Sequence, residues 1–188
     1  MTEKKPSKEE EEFIRREEIE TELKVCRQKQ LKVIRQKEKE AIAQTLNTTQ
    51  EAAAEAMNLG FDADTARVLP LVPLIQAAWA DGKITTSETN KILEKARKFG
   101  IAEDTPADVF LNLLVEENPT QIFFQRVNAV IKIMVQENPG GEISTNVLEW
   151  SKAVAEASGG FFGLKNPIHK KQQEVLDELA DLFGVADV

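Results

Sequence analysis

The sequence predicts an all-α protein, and three observations support that prediction. Alanine, glutamate, lysine and leucine, which favour helices, dominate the 188 residues. The runs of β-branched residues between turns that would indicate strands are missing. Capping residues and glycines delimit one helical segment after another. We therefore expect a bundle of about seven helices in residues 47–188, preceded by a helical extension in residues 1–46.

The extension is predicted to be one long polar helix from residue 7 to about residue 45. If the apolar stripe is read as a heptad repeat, Gln30 and Lys37 fall at core positions. The pattern therefore does not favour a sustained coiled coil. Its first part is mainly acidic, whereas residues 23–37 hold six basic residues and no acidic one. The stripe consists of Phe13, Ile19, Leu23, Cys26 or Leu31, Ile34, Ile42 and Leu46.

The helices of the body are predicted from their first residues. Thr48 or Thr49 fits the N-cap of the first one. An apolar helix should follow, with its start near Pro70 or Pro73, because proline is tolerated in a first helical turn. Two later helices are expected to begin with a capping residue followed by proline: Thr105 with Pro106, and Asn118 with Pro119.

Charge and composition narrow the functional classes. The net charge is -8, of which residues 41–188 carry -9 and residues 1–40 carry +1. An acidic body argues against unaided nucleic-acid binding by that part. The chain has one cysteine, Cys26, and one histidine, His169. These numbers exclude an internal disulfide and a zinc site with several Cys or His ligands. With no secretory signal or membrane-spanning run in the sequence, we expect a cytoplasmic protein.

The stretch "ADGKITTSE", residues 80–88, has the spacing of a calcium loop. An EF-hand in this register would need Ala77 and Trp79 as ligands, and their side chains offer no oxygen, so a standard EF-hand is rejected. A weaker hypothesis remains, in which Asp81 and Glu88 bind a divalent cation, calcium or magnesium. That hypothesis needs further carboxylates brought together by the fold.

A structural interpretation explains the same stretch as a capped turn. Thr85 and Glu88 have the T-x-x-E spacing of a capping box. Gly82 supplies a turn conformation that other residues adopt only with strain. Asp81 can bond the backbone of its own turn, and Ile84 is expected to pack inward.

Two segments 84 residues apart align without gaps. They are "ITTSETNKILEKARKFGI" (84–101) and "IHKKQQEVLDELADLFGV" (168–185), and each ends in Phe-Gly followed by an aliphatic residue. A glycine turn precedes both, at 80–82 and at 157–159. The repeat predicts two similar helix pairs that complete one core in a pseudo-symmetric bundle.

These segments, with "AAWADG" before the first and "ASGGFFGLKNP" before the second, resemble the TerB-like family over roughly residues 65–187. The family hallmark is a doubled "aDGxIsxxE" turn; the second copy here departs from it at Ser158, His169 and Gln172. The resemblance implies a compact helical bundle and a bacterial tellurite-resistance or stress-response protein, cytoplasmic or peripheral to the inner membrane. It also implies an affinity for divalent metal through acidic residues.

The function expected from the sequence is a non-enzymatic binding or scaffold protein of that family. The first alternative is a divalent-metal sensor that uses Asp81 and Glu88. The second is an adaptor that docks to a membrane or nucleic acid through the basic part of the N-terminal helix. No catalytic residue or cofactor motif is predicted. The expected partners are proteins, among them a second copy whose basic half would pair antiparallel with the acidic half of this helix.

Overall fold

The computed structural model of the chain describes residues 7–139, 141–157 and 170–183. Those residues contain eight α-helices, a 3₁₀ helix at Ala66–Leu71 and no strand, so the prediction of an all-α protein is confirmed. The helices are α1 (Lys8–Leu46), α2 (Gln50–Asn58), α3 (Val72–Trp79), α4 (Thr86–Lys98), α5 (Pro106–Glu116), α6 (Gln121–Glu137), α7 (Glu142–Ala157) and α8 (Lys170–Phe183).

The chain divides into two units, residues 1–38 and 39–188. In the first unit, every residue of α1 from 8 to 37 is exposed. The last turns of α1 belong to the second unit, because Ile42, Ala43 and Leu46 are buried in its core. The boundary between the units therefore follows residue 38, whereas the sequence placed the end of the extension at 46.

Helix α3 lies at the centre of the second unit. All residues from Val72 to Ala78 are buried, and Gln76, the one polar residue among them, accepts a hydrogen bond of 2.7 Å from the Asn128 amide. It packs against α6, α7 and α8, and the 3₁₀ helix leads into it. Pro70 lies inside that 3₁₀ helix and Pro73 lies in the first turn of α3, where its missing N–H leaves no hydrogen bond unmade.

The helix starts agree with the predicted caps except at α6. Thr49, Thr85 and Thr105 each accept a backbone N–H of the first turn that follows. Asn118 was predicted to cap α6, but the cap is Thr120, whose hydroxyl accepts the Phe123 N–H at 3.2 Å. Because the Thr120 hydroxyl satisfies this N–H at the start of the helix, Thr120 is the N-cap, and Asn118 and Pro119 lie before the helix.

The two repeated segments both form helices. Helix α4 starts at Thr86 and α8 starts 84 residues later at Lys170. Ile92 and its counterpart Leu176 are both buried. The second glycine turn, 157–159, lies mostly outside the described residues. Within the described part of the chain, no helix is both long enough and apolar enough to cross a membrane.

Candidate functional site

The turn before α4 has the local geometry that its sequence predicts. Gly82 has a φ of 95°, in the left-handed region that favours glycine. The Asp81 Oδ1 atom accepts the Lys83 N–H at 3.2 Å, which closes the turn on its own backbone. Ile84 is half-buried and packs against the core. Asp81 therefore stabilises the turn.

The capping box at the start of α4 is complete. The Glu88 Oε2 atom accepts both the Thr85 N–H and the Thr85 hydroxyl at 2.8 Å. In return the Thr85 Oγ1 atom accepts the Glu88 N–H at 3.3 Å. These bonds fix the Glu88 side chain at the helix start.

The other Glu88 oxygen is bound from the second repeat. The Gln172 Nε2 atom donates to Glu88 Oε1 at 2.8 Å, and both residues are fully buried. A buried carboxylate needs such partners because removing it from water is otherwise very unfavourable. This contact was not predicted from the sequence. The signal that could have found it is the repeat, because Glu88 and Gln172 are separated by its offset of 84 residues.

The two residues of the metal hypothesis are thus each engaged by protein donors. Asp81 bonds the turn, and Glu88 accepts three hydrogen bonds. Among the described residues, no group of three or more His, Cys, Asp or Glu side chains is placed to hold a metal ion. Calcium takes six to eight oxygen ligands, so a site here would need ligands that these two residues do not supply.

A second carboxylate joins two helix ends in the body. Glu137, the last residue of α6, accepts the Thr49 hydroxyl at 2.6 Å, the Thr49 N–H at 3.2 Å and the Thr48 hydroxyl at 2.9 Å. Burial raises the pKa of Glu137, but the hydrogen bonds from Thr49 and Thr48 together outweigh it and lower the pKa. The contact fastens the N-terminus of α2 to the C-terminus of α6.

A cavity of about 150 Å³ opens in the second unit. That volume is below the roughly 300 Å³ at which small-molecule sites usually begin. None of its lining side chains is a carboxylate, imidazole, amine or thiol, so these residues offer no general acid or base. The lining residues are Thr45, Leu46, Asn47, Phe99, Met134, Asn138, Gly141 and Ile143.

The feature that distinguishes the first unit is its exposed apolar surface. Eight large apolar side chains of α1 are exposed, and Phe13 and Leu23 each expose 62% of their surface. Helices of globular proteins normally turn such residues towards a core. The eight residues are Phe13, Ile14, Ile19, Leu23, Val25, Leu31, Val33 and Ile34.

Cys26, His169 and the glycine-rich loop before α8 are further features of the sequence. Cys26 is a free thiol exposed on α1. His169 and the "GGFFG" loop at 159–163 lie outside the described residues. No family description, curated protein or solved structure matches the chain.

Proposed function

We propose that this chain is a non-enzymatic binding or scaffold protein, in which the helical body carries α1 as the element that contacts a partner. The eight exposed apolar side chains of α1 are the observation that carries this proposal. Burying a Leu, Ile or Phe side chain completely is worth about 1.5–3 kcal/mol. A partner that covers only part of this surface would therefore gain useful binding energy.

The helix itself supports this role. Helices gain most of their stability in proteins from tertiary packing of an apolar face. Residues 8–37 of α1 have no such packing within their own unit. A partner helix or surface would supply it, so binding and stabilisation of α1 are expected to occur together.

The finer assignment, to the TerB-like proteins of tellurite resistance and bacterial stress response, belongs to the same proposal. Two facts support it: α4 and α8 are helices at the repeat offset, and Glu88 meets Gln172 across that offset. A pseudo-symmetric pair of hairpins would bring equivalent positions together in this way. A cytoplasmic location goes with this assignment.

A photo-reactive amino acid at single positions of α1 tests the proposal in living cells. Leu23 lies on the apolar stripe, and Val25 lies almost opposite to it on the helix because each residue turns the helix by about 100°. We expect discrete covalent adducts from position 23, identified by mass spectrometry, and few from position 25. Absence of adducts from 23, or equal diffuse labelling at both positions, would remove the proposed role of α1.

A further inference from the structure

Charge is segregated along α1. Residues 8–22 hold eight Glu against three Lys and Arg, a net charge of -5. Residues 23–37 hold six Lys and Arg and no acidic residue, a net charge of +6. Leu23 stands where the sign changes. A helix built in this way is complementary to itself only when the second helix runs in the opposite direction.

Resting on the proposed binding role of α1, we propose that its partner is a second copy of this chain, paired antiparallel through α1 with Leu23 at the midpoint. A parallel pair would place both -5 halves together and both +6 halves together, and like charges repel at these distances. The antiparallel pair places each acidic half beside a basic half. The attraction acts over about 10 Å at moderate salt, which is the spacing of packed helices.

The apolar stripe fits the same arrangement. At about 100° per residue, the stripe residues from Phe13 to Ile34 fall within roughly 80° of the direction of Leu23. Ile14 and Val25 are the exposed apolar residues that point away. Within that angle of Leu23 lie the stripe residues Phe13, Ile19, Cys26, Leu31 and Ile34, and also Val33. The half of the helix centred on Leu23 therefore carries six of the eight exposed large apolar side chains, interspersed with charged residues such as Arg16 and Arg27.

If Leu23 of one copy contacts Leu23 of the other, the residues that face each other on either side of this contact are also determined. With a rise of about 1.5 Å per residue, Phe13 comes within one residue of the level of Ile34 of the second copy. Ile19 comes to the level of Cys26 in the same way. Glu20, which pairs with Lys24 of its own helix at 2.9 Å, comes beside Arg27 of the second copy, so opposite charges also meet next to the apolar contacts. The proposed contact extends from residue 13 to residue 34. It does not require a continuous heptad repeat, which is interrupted by the polar residues Gln30 and Lys37.

Sedimentation equilibrium of the full chain measures the association. The monomer has a mass of 21.0 kDa, and we expect twice that mass at about 0.05 M salt, with dissociation favoured at about 0.5 M. Leu23→Gln should weaken the dimer at least tenfold, whereas Val25→Gln, on the far side of α1, should change it less than threefold. A monomer at low salt and high protein concentration would overturn the proposal.

A charge exchange tests the register without relying on any one variant to fold. Glu20→Arg or Arg27→Glu alone should weaken the dimer about tenfold, since each turns two attractive pairs into repulsive ones. The double exchange keeps the composition and should restore the wild-type dissociation constant to within threefold. Equal weakening by the single and double variants would overturn this register.

Spin labels measure the direction of pairing. In a Cys26→Ser background, a label at Glu9→Cys would lie about 42 Å along the axis from its copy in the antiparallel pair, and about 10 Å away in a parallel pair. A short distance overturns the antiparallel arrangement. If the chain is monomeric but position 23 still forms an adduct with a different protein, self-pairing fails while the binding role of α1 stands. Wild-type monomer that binds anionic vesicles would also overturn self-pairing.

Discussion

The Gln172 amide donates a hydrogen bond of 2.8 Å to the Glu88 carboxylate, and the two residues occupy equivalent positions of the 84-residue repeat. Both side chains are fully buried. The glutamate already closes the capping box of α4, so the glutamine supplies the donor that its second oxygen needs. The contact joins the start of α4 to the start of α8 inside the core.

Replacing Gln172 with leucine should destabilise the protein by about 1–3 kcal/mol, because Glu88 Oε1 would lose this donor without gaining water. Urea denaturation followed by circular dichroism measures the change. Gln173→Leu is the matched control: its side chain is exposed and bonds Asp177 on its own helix, so we expect a change within about 0.5 kcal/mol. Equal effects at the two positions would contradict the role given to the buried pair.

Gln172→Glu should make stability depend on pH. The new carboxyl would face Glu88 in a buried site, and a like charge so close raises the pKa of the introduced group above its unfolded value near 4.3. Stability is then greatest below that unfolded pKa and falls as the pH rises through the raised folded pKa. Denaturation curves at several pH values should show the variant closest to wild type in acid. A variant equally stable at every pH would show that the two side chains separate.

The sequence predicted the local structure well because its signals are local. The capping box of Thr85 and Glu88, the left-handed Gly82 and the bond from Asp81 to its turn all depend on residues within a few positions. The predicted cap of α6 was wrong because Asn118 and Thr120 both suit that role, and the residue that caps the helix is Thr120.

The long-range contacts could not be read in the same way. Glu137 bonds Thr48 and Thr49 across almost ninety positions, and nothing in the sequence pairs them. Gln172 looked like a departure from a family pattern, whereas the fold makes it the donor to Glu88. Which partner a buried polar group finds depends on how the helices pack, and periodicity does not encode that choice.

The metal hypothesis for Asp81 and Glu88 leads to a calorimetric prediction. A cation at Glu88 would have to replace three protein donors at a fully buried carboxylate. We therefore expect no binding of calcium or magnesium tighter than about 1 mM, the weak end of protein calcium sites. Wild type and Asp81→Ala should give the same flat titration. Saturable heat in wild type that Asp81→Ala removes would instead support the metal-sensor alternative.

The contact of Glu137 with Thr48 and Thr49 predicts a pH-dependent contribution to stability. Its pKa is lowered from the ordinary value of 4.5 in the folded state, so the contribution is present above about that pH and is lost as the pH falls through the lower folded pKa. Glu137→Gln should cost about 0.5–1 kcal/mol at neutral pH, since the site is exposed and solvent weakens the interaction.

Thermal denaturation of wild type and Glu137→Gln from neutral to acid pH measures that difference. The two curves should converge in acid, where the wild-type carboxyl is protonated and resembles the amide. Glu116→Gln is the matched control, because it makes the same chemical change at the exposed last residue of α5 and should shift stability little at any pH. A gap between wild type and Glu137→Gln that stays constant with pH would mean that the side chain stabilises the α2–α6 junction by its shape and not by its charge.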